Sequence, residues 1–227
     1  RGNWMNILAV SDVELGIIYN PTIANRFKNV DVVVSAGDLP YFYLEFIVST
    51  LDKPLYYVLG NHSNQREIGI GTERDAPQGA INLHRHSRRD ASGLLLAGLE
   101  GSLKYNNGPC QYTQSDYWQM AWLLAPQLLL NRIQYGRYLD VFVTHAAPAG
   151  IHDMDDLPHR GIRAFNWIIR VFQPAFLIHG HIHLYRNDVA WYTQVGPTTV
   201  LNAYGYREFA YEIPRSEPLS LRKGRDK

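Results

Sequence analysis

Short apolar runs alternate with longer segments of helical spacing along most of the chain. Each run is continuously apolar or rich in β-branched residues, as expected for strands that are covered on both faces, and each ends in a polar residue or a glycine. Six such runs precede the C-terminal region, at residues 5–10, 31–35, 55–59, 94–97, 140–144 and 175–178. This alternation predicts an α/β protein with buried strands.

Helices and a second kind of strand complete the predicted organisation. Apolar residues at intervals of three and four predict amphipathic helices over residues 21–28, 41–51, 115–133 and 162–172. Runs rich in Val, Thr and aromatic residues, separated by Gly-Pro and Tyr-Gly, predict an antiparallel meander over residues 189–195, 198–202 and 208–213. The sheet is therefore expected to be mixed. Polar loops at residues 64–79, 105–113 and 151–161 are expected to surround any active site.

Length and composition favour one globular domain. The chain has 227 residues, 46% of them hydrophobic and 19% charged, which is unlike a disordered protein. We expect a single domain over residues 1–213 and a flexible basic tail over residues 214–227. The longest apolar window, residues 120–130, is interrupted by Pro126 and Gln127 and is too short to span a membrane.

Charge and cysteine usage give expectations about partners and compartment. The 22 basic and 21 acidic residues give a net charge of +1, so no global field attracts nucleic acid or anionic lipid. The start of the chain lacks the pattern of a secretory signal, and a single cysteine, Cys110, excludes an internal disulfide framework. We therefore expect a cytoplasmic protein without a membrane partner.

Residues that can bind metal follow five of the predicted strands. These residues form the segments Ser11-Asp12-Val13-Glu14, Gly37-Asp38, Gly60-Asn61-His62, Thr144-His145 and His179-Gly180-His181-Ile182-His183. The carboxyl ends of strands in an open α/β sheet line the crevice where ligands bind, so ligands distant in sequence can converge there. Carboxylate, amide and imidazole donors together suit a pair of divalent transition-metal ions. His181 and His183, two apart on an extended segment, would point to opposite sides and serve different ions.

In this order, these segments resemble the motifs of the calcineurin-like metallophosphoesterases. The resemblance implies a four-layer α/β/β/α sandwich of two mixed sheets flanked by helices, and two divalent metal ions (Mn, Fe, Zn, Ni or Mg). It also implies that Asp38 bridges the ions and that a metal-bridging hydroxide attacks phosphorus. His62 would face the substrate, stabilise charge on the phosphate or protonate the leaving oxygen. The implied ligands are, for the first ion, Asp12, Glu14, Asp38 and His183, and for the second, Asp38, Asn61, His145 and His181.

Two positions depart from the family pattern. Glu14 stands where the family usually has a histidine, and its longer arm and extra charge would change the geometry and metal preference of the first site. Ser63 stands where an acidic residue often follows Asn-His, so a partner that orients His62 is expected to be missing.

Each segment also has an interpretation without chemistry. Asp12 and Asp38 could cap turns, Asn61 could supply a left-handed turn, and His145 could be a hydrogen-bonded strand-end histidine. Their common position at strand ends favours metal binding. Glu14 could equally be a solvated loop residue.

Other polar groups receive supporting or peripheral roles. We interpret His179 as a supporting residue, and we assign structural roles to His84 and His86 because Arg88 and Arg89 adjoin them. The acidic loop with Asp153, Asp155 and Asp156 lacks the glycine and terminal Glu of a calcium loop. Further candidates for the rim of the site or for substrate contact are His152, His159, Tyr105, Asn106 and Asn107.

The functional hypothesis is hydrolysis of a phosphate ester in a small molecule or nucleotide. Gly37-Asp38-Leu39-Pro40 lacks the Asp-Arg-Gly continuation typical of the protein Ser/Thr phosphatases, which favours a phosphodiesterase-like enzyme. The alternative is a degenerate member that keeps the fold and one metal and serves as a binding or regulatory module. A nuclease is disfavoured by the neutral charge balance, although Arg85, Arg88 and Arg89 could bind phosphate locally.

Overall fold

The computed structural model describes residues 2–63, 67–68, 73–185 and 190–217. Four helices lie in these ranges: α1 (Ile23–Arg26), α2 (Tyr41–Leu51), α3 (Gln114–Tyr135) and α4 (Arg163–Phe172). The strands are β1 (Asn3–Ser11), β2 (Val32–Ser35), β3 (Leu55–Tyr57), β4 (Glu67–Ile68), β5 (Glu73–Arg74), β6 (Ala80–Asn82), β7 (Ser87–Arg89), β8 (Leu95–Leu99), β9 (Ser102–Leu103), β10 (Gln111–Tyr112), β11 (Val141–Thr144), β12 (Phe176–His179), β13 (Tyr192–Val195), β14 (Thr198–Asn202) and β15 (Gly205–Ile213).

Two large mixed sheets form the centre of the molecule. The first has the order β15-β1-β2-β3-β6, in which only β15 is antiparallel to its neighbour. The second has the order β13-β14-β12-β11-β8-β7, with the four central strands parallel and the two edge strands antiparallel to them. Two further pairs, β9 with β10 and β4 with β5, lie outside these sheets.

Alternating side chains on the strands build three apolar layers. Val34 and Val143 belong to the core between the two sheets, whereas their neighbours Val33 and Phe142 point outward. The outward face of the first sheet packs against α1 and α2, and that of the second packs against α3 and α4. Because successive strand residues face opposite sides, strands covered on both faces read as continuous apolar runs. The expected four-layer α/β/β/α sandwich is confirmed.

Helix ends are set by local chemistry. The Thr113 side chain accepts a hydrogen bond from the Asp116 backbone N–H, and the Asp116 carboxylate accepts one from the Thr113 backbone N–H, a capping box that starts α3. Gly136, with φ of 79°, ends the same helix. Pro126 lies inside α3 and does not end it. Within the described residues, no helix is both long and apolar enough to cross a bilayer.

Two predictions about secondary structure need correction. The C-terminal meander is only half correct. Strands β13 and β14 form the expected antiparallel pair, but β14 pairs on its other side in parallel with β12, and β15 crosses to the other sheet and pairs with β1. The crossing occurs at Tyr204, which bridges to Ser11, and Gly205, with φ of 75°, begins the new strand. The first helix is a single turn, α1, rather than the predicted eight residues.

Two segments lie partly beyond the described residues. Within the predicted loop 64–79, residues 64–66 and 69–72 lie outside the description, and Glu67–Ile68 pairs with Glu73–Arg74. In the predicted tail, residues 218–227 lie outside it, while the Glu217 backbone N–H donates to the Tyr135 carbonyl. The flexible tail therefore stays a prediction.

Candidate metal centre

The two sheets bring their carboxyl ends to one edge of the molecule. In the first sheet β1, β2 and β3 lead into Asp12, Asp38 and Asn61, and in the second β11 and β12 lead into His145 and His181. Hydrogen bonds join the two groups across the gap, since His181 N–H donates to both carboxylate oxygens of Asp12 at 2.9 and 3.1 Å. Residues distant in sequence are thus held together by the strand ends, as predicted.

Asp38, His145 and His181 form the tightest group. One ligand atom from each lies within 4.8 Å of the others, and the two histidines are buried. Asn61 belongs to the same group, because its Oδ1 lies 3.1 Å from His145 Nε2. Asp38 Oδ2 lies 3.1 Å from that same nitrogen. These are the four residues that the family resemblance gives to the second ion.

Hydrogen bonds determine which nitrogen of each histidine faces the group. A carbonyl can only accept, so His181 Nε2 donates to the Pro158 carbonyl (2.9 Å) and leaves the Nδ1 lone pair free. In the same way, His145 Nδ1 donates to the Ala36 carbonyl (2.8 Å), and Nε2 faces Asp38. Imidazoles that bind metal are commonly held in this way through the other nitrogen.

Electrostatics inside the group follow from burial and from the Asp38 charge. Burial opposes charge on His145, but the adjacent Asp38 carboxylate outweighs it and raises the pKa of His145 to about 9. Burial would raise the pKa of Asp38, yet His145 and the His62 backbone N–H hold it well below its usual value. Burial, with the neighbouring His145, lowers the pKa of His181 to about 3, so this ring is neutral. A cation bound here would take the place of the His145 Nε2 proton.

Glycines allow the loops to approach one another closely. A Cβ built on Gly60 would lie 2.0 Å from Asp38 Oδ1, and one on Gly37 would lie 2.6 Å from His145 Nδ1. A Cβ on Gly180 would lie 2.5 Å from Asp12 Oδ2. Since Cβ contacts below 3.0 Å essentially never occur, these three motif glycines leave room for the carboxylates and the imidazole.

Three of the proposed ligands adopt a left-handed backbone conformation. Asp12, Asp38 and His181 have φ of 65°, 54° and 66°, which non-glycine residues rarely adopt outside functional sites and turns. The segment at His181 is therefore not extended, contrary to the prediction. The side chains of His181 and His183 still point to different places. The turn at His181 directs its ring to the Asp38 group, whereas His183 Nε2 lies 3.8 Å from Asp12 Oδ1.

The residues proposed for the first ion are spread more widely. The Asp12 side chain is 1% exposed and that of His183 is 41% exposed. Burial raises the pKa of Asp12 despite the nearby His145. Glu14 is exposed, and its carboxylate adds to the burial that raises the pKa of Tyr43 to about 12. Among the described residues, only the Asp38 group meets the spacing of a metal cluster with three such side chains.

Ser63 and Tyr105 support the site in ways that the sequence did not reveal. The Ser63 hydroxyl accepts hydrogen bonds from the backbone N–H groups of Gly60 (2.8 Å) and Asp38 (3.2 Å), so it joins two ligand-bearing loops. The Tyr105 hydroxyl accepts from Asn61 Nδ2 at 3.1 Å, which turns Asn61 Oδ1 towards His145. The side chain at position 63 thus fixes the backbone, and no residue-type pattern signals either contact.

The remaining histidines divide into rim and scaffold. His159 lies beside His181, with ring centroids 4.9 Å apart, and bonds Asp156. His179 is buried and bonds His152 (2.8 Å), in keeping with its interpretation as a supporting residue. His84 accepts from the Glu100 backbone N–H, which agrees with its structural role.

The basic cluster and the acidic loop are structural elements of the described chain. Arg88 and Arg89 lie on β7 at the edge of the second sheet, in agreement with the prediction of a strand edge. Asp153 caps the acidic loop by accepting from the backbone N–H groups of Gly150 and Gly161. His62 is exposed at the mouth of the site, and its backbone N–H donates to Asp38 Oδ1 at 2.8 Å.

The donor set fits a divalent metal ion. A carboxylate, an amide oxygen and two imidazoles that can bind a metal in their neutral form converge on one point. In each buried histidine, the ring nitrogen that points away from this group is bonded to a backbone carbonyl. The residues that would hold an ion are therefore Asp38, Asn61, His145 and His181, with Asp12 and His183 beside them.

Comparison with known proteins agrees with this geometry. The family model of the calcineurin-like phosphoesterases matches residues 5–185. A solved structure of TT1561 from Thermus thermophilus aligns with a TM-score of 0.59 and 14% identity, over 92% of this chain and 98% of its own. Another solved structure aligns with a TM-score of 0.61 and 15% identity over 92% and 99%.

A third neighbour has a described role. GAP50, the anchor in the inner membrane complex of Plasmodium, aligns with a TM-score of 0.51 and 14% identity, over 88% of this chain and 71% of its own. No curated protein matches the sequence. The match of the family model over most of the sequence shows that the chain belongs to the calcineurin-like phosphoesterase family.

Proposed function

We propose that this protein is a metal-dependent phosphoesterase, phosphodiesterase-like, that hydrolyses a phosphate ester of a small molecule or nucleotide. The observation that carries the proposal is the convergence of Asp38, His145 and His181 within 4.8 Å. Their orientation supports it, since the hydrogen bonds to Pro158 and Ala36 leave one nitrogen of each imidazole for a cation. A purely structural histidine cluster would not require this arrangement.

The chain's residues divide the work of such a reaction. Divalent ions bound by the Asp38 group and by Asp12, Glu14 and His183 would supply Lewis acidity and lower the pKa of water. Asp38 would supply negative charge to both ion positions. The Ser63 hydroxyl and the close approach of Gly60 hold the Asp38 loop in place. His62 stands exposed beside Asp38, where its imidazole can donate a proton to the leaving oxygen or bind a phosphate oxygen.

A hydrolysis assay tests this function. The protein is incubated with chromogenic phosphate monoesters and diesters in the presence of Mn²⁺, Mg²⁺ or Zn²⁺, beside Asp38→Ala. We expect metal-dependent turnover that the variant loses, with diesters preferred. Absence of metal-dependent turnover on all of these substrates would reject the proposed enzymatic function.

The second candidate is a binding or regulatory module that holds a single metal. The exposure of Glu14 favours it, because a solvated carboxylate replaces the imidazole that normally completes the first site. GAP50, which has a similar fold, is described as an anchor in an inner membrane complex. Metal content per chain separates the candidates: two ions with turnover support the enzyme, and one ion without turnover supports the module.

The proposal extends to partners and compartment. With a net charge of +1 and the basic residues of β7 confined to a sheet edge, we propose a small substrate rather than nucleic acid. Cys110 is the single cysteine of the sequence, which is consistent with the reducing cytoplasm.

A further inference from the structure

An aromatic cluster lies directly against the exposed end of the metal centre. The His183 ring is 4.8 Å from the Tyr204 ring and 5.6 Å from the Tyr185 ring, measured between centroids. The two tyrosine rings are 6.2 Å apart in an edge arrangement. His183 is also bonded to this cluster, since its Nδ1 lies 2.7 Å from the Tyr185 hydroxyl. We call Tyr185 and Tyr204 the tyrosine pair.

The cluster faces the side from which a substrate can enter. His145 and His181 are buried, and the Asp12 side chain is 1% exposed, so none of them gives access from solvent. The His183 side chain is 41% exposed, and Tyr185 is 81% exposed. The tyrosine pair therefore lies on a solvent-exposed side of the centre.

The exposure of Tyr185 has a physical consequence. An aromatic ring that remains in water keeps unburied apolar area, and it gains stability when another ring covers it in a stacked or edge arrangement. Packing within the described residues leaves most of Tyr185 uncovered, and its hydroxyl is turned towards His183. The face of the ring is thus available to a ligand that reaches the metal centre.

We propose that the tyrosine pair is a subsite for a planar aromatic group carried by the phosphate ester, either a nucleobase or an aryl ring. This inference rests on the proposed phosphoesterase function and names its substrate class. The phosphate would lie at the metal ligands, and the ring would lie over Tyr185 and Tyr204 on the His183 side. Stacking on aromatic side chains accepts any base, because every base has a π-face.

The test compares substrates that differ only in the ring. Adenosine 5′-phosphate and ribose 5-phosphate both carry the phosphate on the primary C5 hydroxyl of a ribose, as do their methyl diesters, and phosphorus NMR follows hydrolysis of all four. Benzyl phosphate beside ethyl phosphate distinguishes an aryl ring from a nucleobase. The variants are Tyr185→Leu, Tyr204→Leu and Tyr185→Phe, with Trp122→Leu on the outer face of α3 as an exposed aromatic control.

We expect kcat/KM of the wild type to favour the ring-bearing substrates. Tyr185→Leu and Tyr204→Leu should each lower kcat/KM for those substrates about 5- to 150-fold, as the loss of one stacked base does elsewhere. Tyr204→Leu should change kcat/KM for ribose 5-phosphate and ethyl phosphate less than about threefold. On these ring-free substrates Tyr185→Leu should match Tyr185→Phe, since both variants lack the hydroxyl that is bonded to His183. Tyr185→Phe keeps the ring and should keep the preference, and Trp122→Leu should behave as the wild type.

Other outcomes overturn the subsite. An equal loss on ring-bearing and ring-free substrates would show that the tyrosines act on the metal centre, and a loss in Tyr185→Phe equal to that in Tyr185→Leu would assign the effect to the hydroxyl. If the wild type hydrolyses nothing, the proposed function fails by itself. Calorimetric binding of adenosine 5′-phosphate and ribose 5-phosphate to the Mn²⁺-loaded protein then decides the subsite, and equal affinities would reject it.

Discussion

Gly60→Ala is expected to disturb the metal centre, because its Cβ would press on both the side chain and the backbone nitrogen of Asp38. The φ angle of Gly60 is not in the left-handed region, so alanine can adopt the native backbone conformation there. The added Cβ would lie 2.0 Å from Asp38 Oδ1, 2.5 Å from its Cγ and 2.8 Å from its backbone nitrogen. Ordinary van der Waals contact begins at 3.4 Å, so the Asp38 carboxylate oxygen, 2.0 Å from the new Cβ, has to move by more than 1 Å.

The size of the effect follows from this displacement. Overpacking of a dense region costs about 1–3 kcal/mol, which should lower the melting temperature by several degrees without unfolding the protein. Metal sites are more sensitive to such a displacement, because substitution of a residue that supports a ligand lowers metal affinity or activity about 10- to 100-fold. Asp38 also bonds His62 N–H and His145, so the movement affects three residues of the site at once.

Calorimetric titration with Mn²⁺ and thermal unfolding measure the two effects separately. The matched control is Gly16→Ala, since a Cβ on Gly16 meets nothing within 4 Å and Gly16 also lies in a loop near the site. We expect Gly16→Ala to bind Mn²⁺ as the wild type does. Wild-type Mn²⁺ affinity in Gly60→Ala would refute the assignment of Asp38 as a ligand held in place by the close approach of Gly60.

Three other variants give independent checks. Tyr105→Phe removes the hydroxyl that accepts from Asn61 Nδ2 and should weaken Mn²⁺ binding about 2- to 12-fold by calorimetry, the equivalent of one hydrogen bond; unchanged affinity would show that Asn61 needs no partner. Glu14→His restores the imidazole usual in the family. If Glu14 binds the first ion weakly, this variant should raise the metal content per chain, measured by elemental analysis. An equal metal content in both proteins would show that Glu14 already acts as a ligand of the first ion. For Asp90, burial opposes ionisation, but hydrogen bonds from Ser92 and the Tyr56 hydroxyl outweigh it and lower the pKa below 3.8. Asp90 therefore stabilises the fold above pH 3.8 and loses that contribution as the pH falls through its folded pKa, so urea unfolding of Asp90→Asn should show lower stability at pH 7 and a flatter acid dependence than the wild type.

The strands could be predicted because burial on both faces leaves a local pattern. Residues 141–143, for example, are continuously apolar because both faces are buried, and His145 follows where the run ends. The assignment of the second-site ligands rests on the family resemblance and stays a prediction. The meander could not be predicted correctly, since the choice of β15 to pair with β1 depends on which sheet edge is free. A sequence pattern gives the strand but not its distant partner.

The supporting contacts were invisible for a different reason. Tyr105 reaches Asn61 across 44 positions and the Pro158 carbonyl reaches His181 across 23. The first contact uses a common side chain and the second uses a backbone carbonyl as the partner of His181, so neither leaves a motif. The left-handed turn at His181 was also missed, because positive φ is uncommon for any residue other than glycine and residue type alone does not locate it.

The difference between the two halves of the centre has a structural cause. Asp12 of the first site packs against Gly180, and in the second site Gly37 and Gly60 press against His145 and Asp38 so closely that any larger residue would displace a ligand. The residues of the second site are therefore constrained by packing as well as by metal chemistry. Glu14, by contrast, is exposed. A substitution at position 14 can thus alter the first ion's ligands while the loops that form the second site keep their shape.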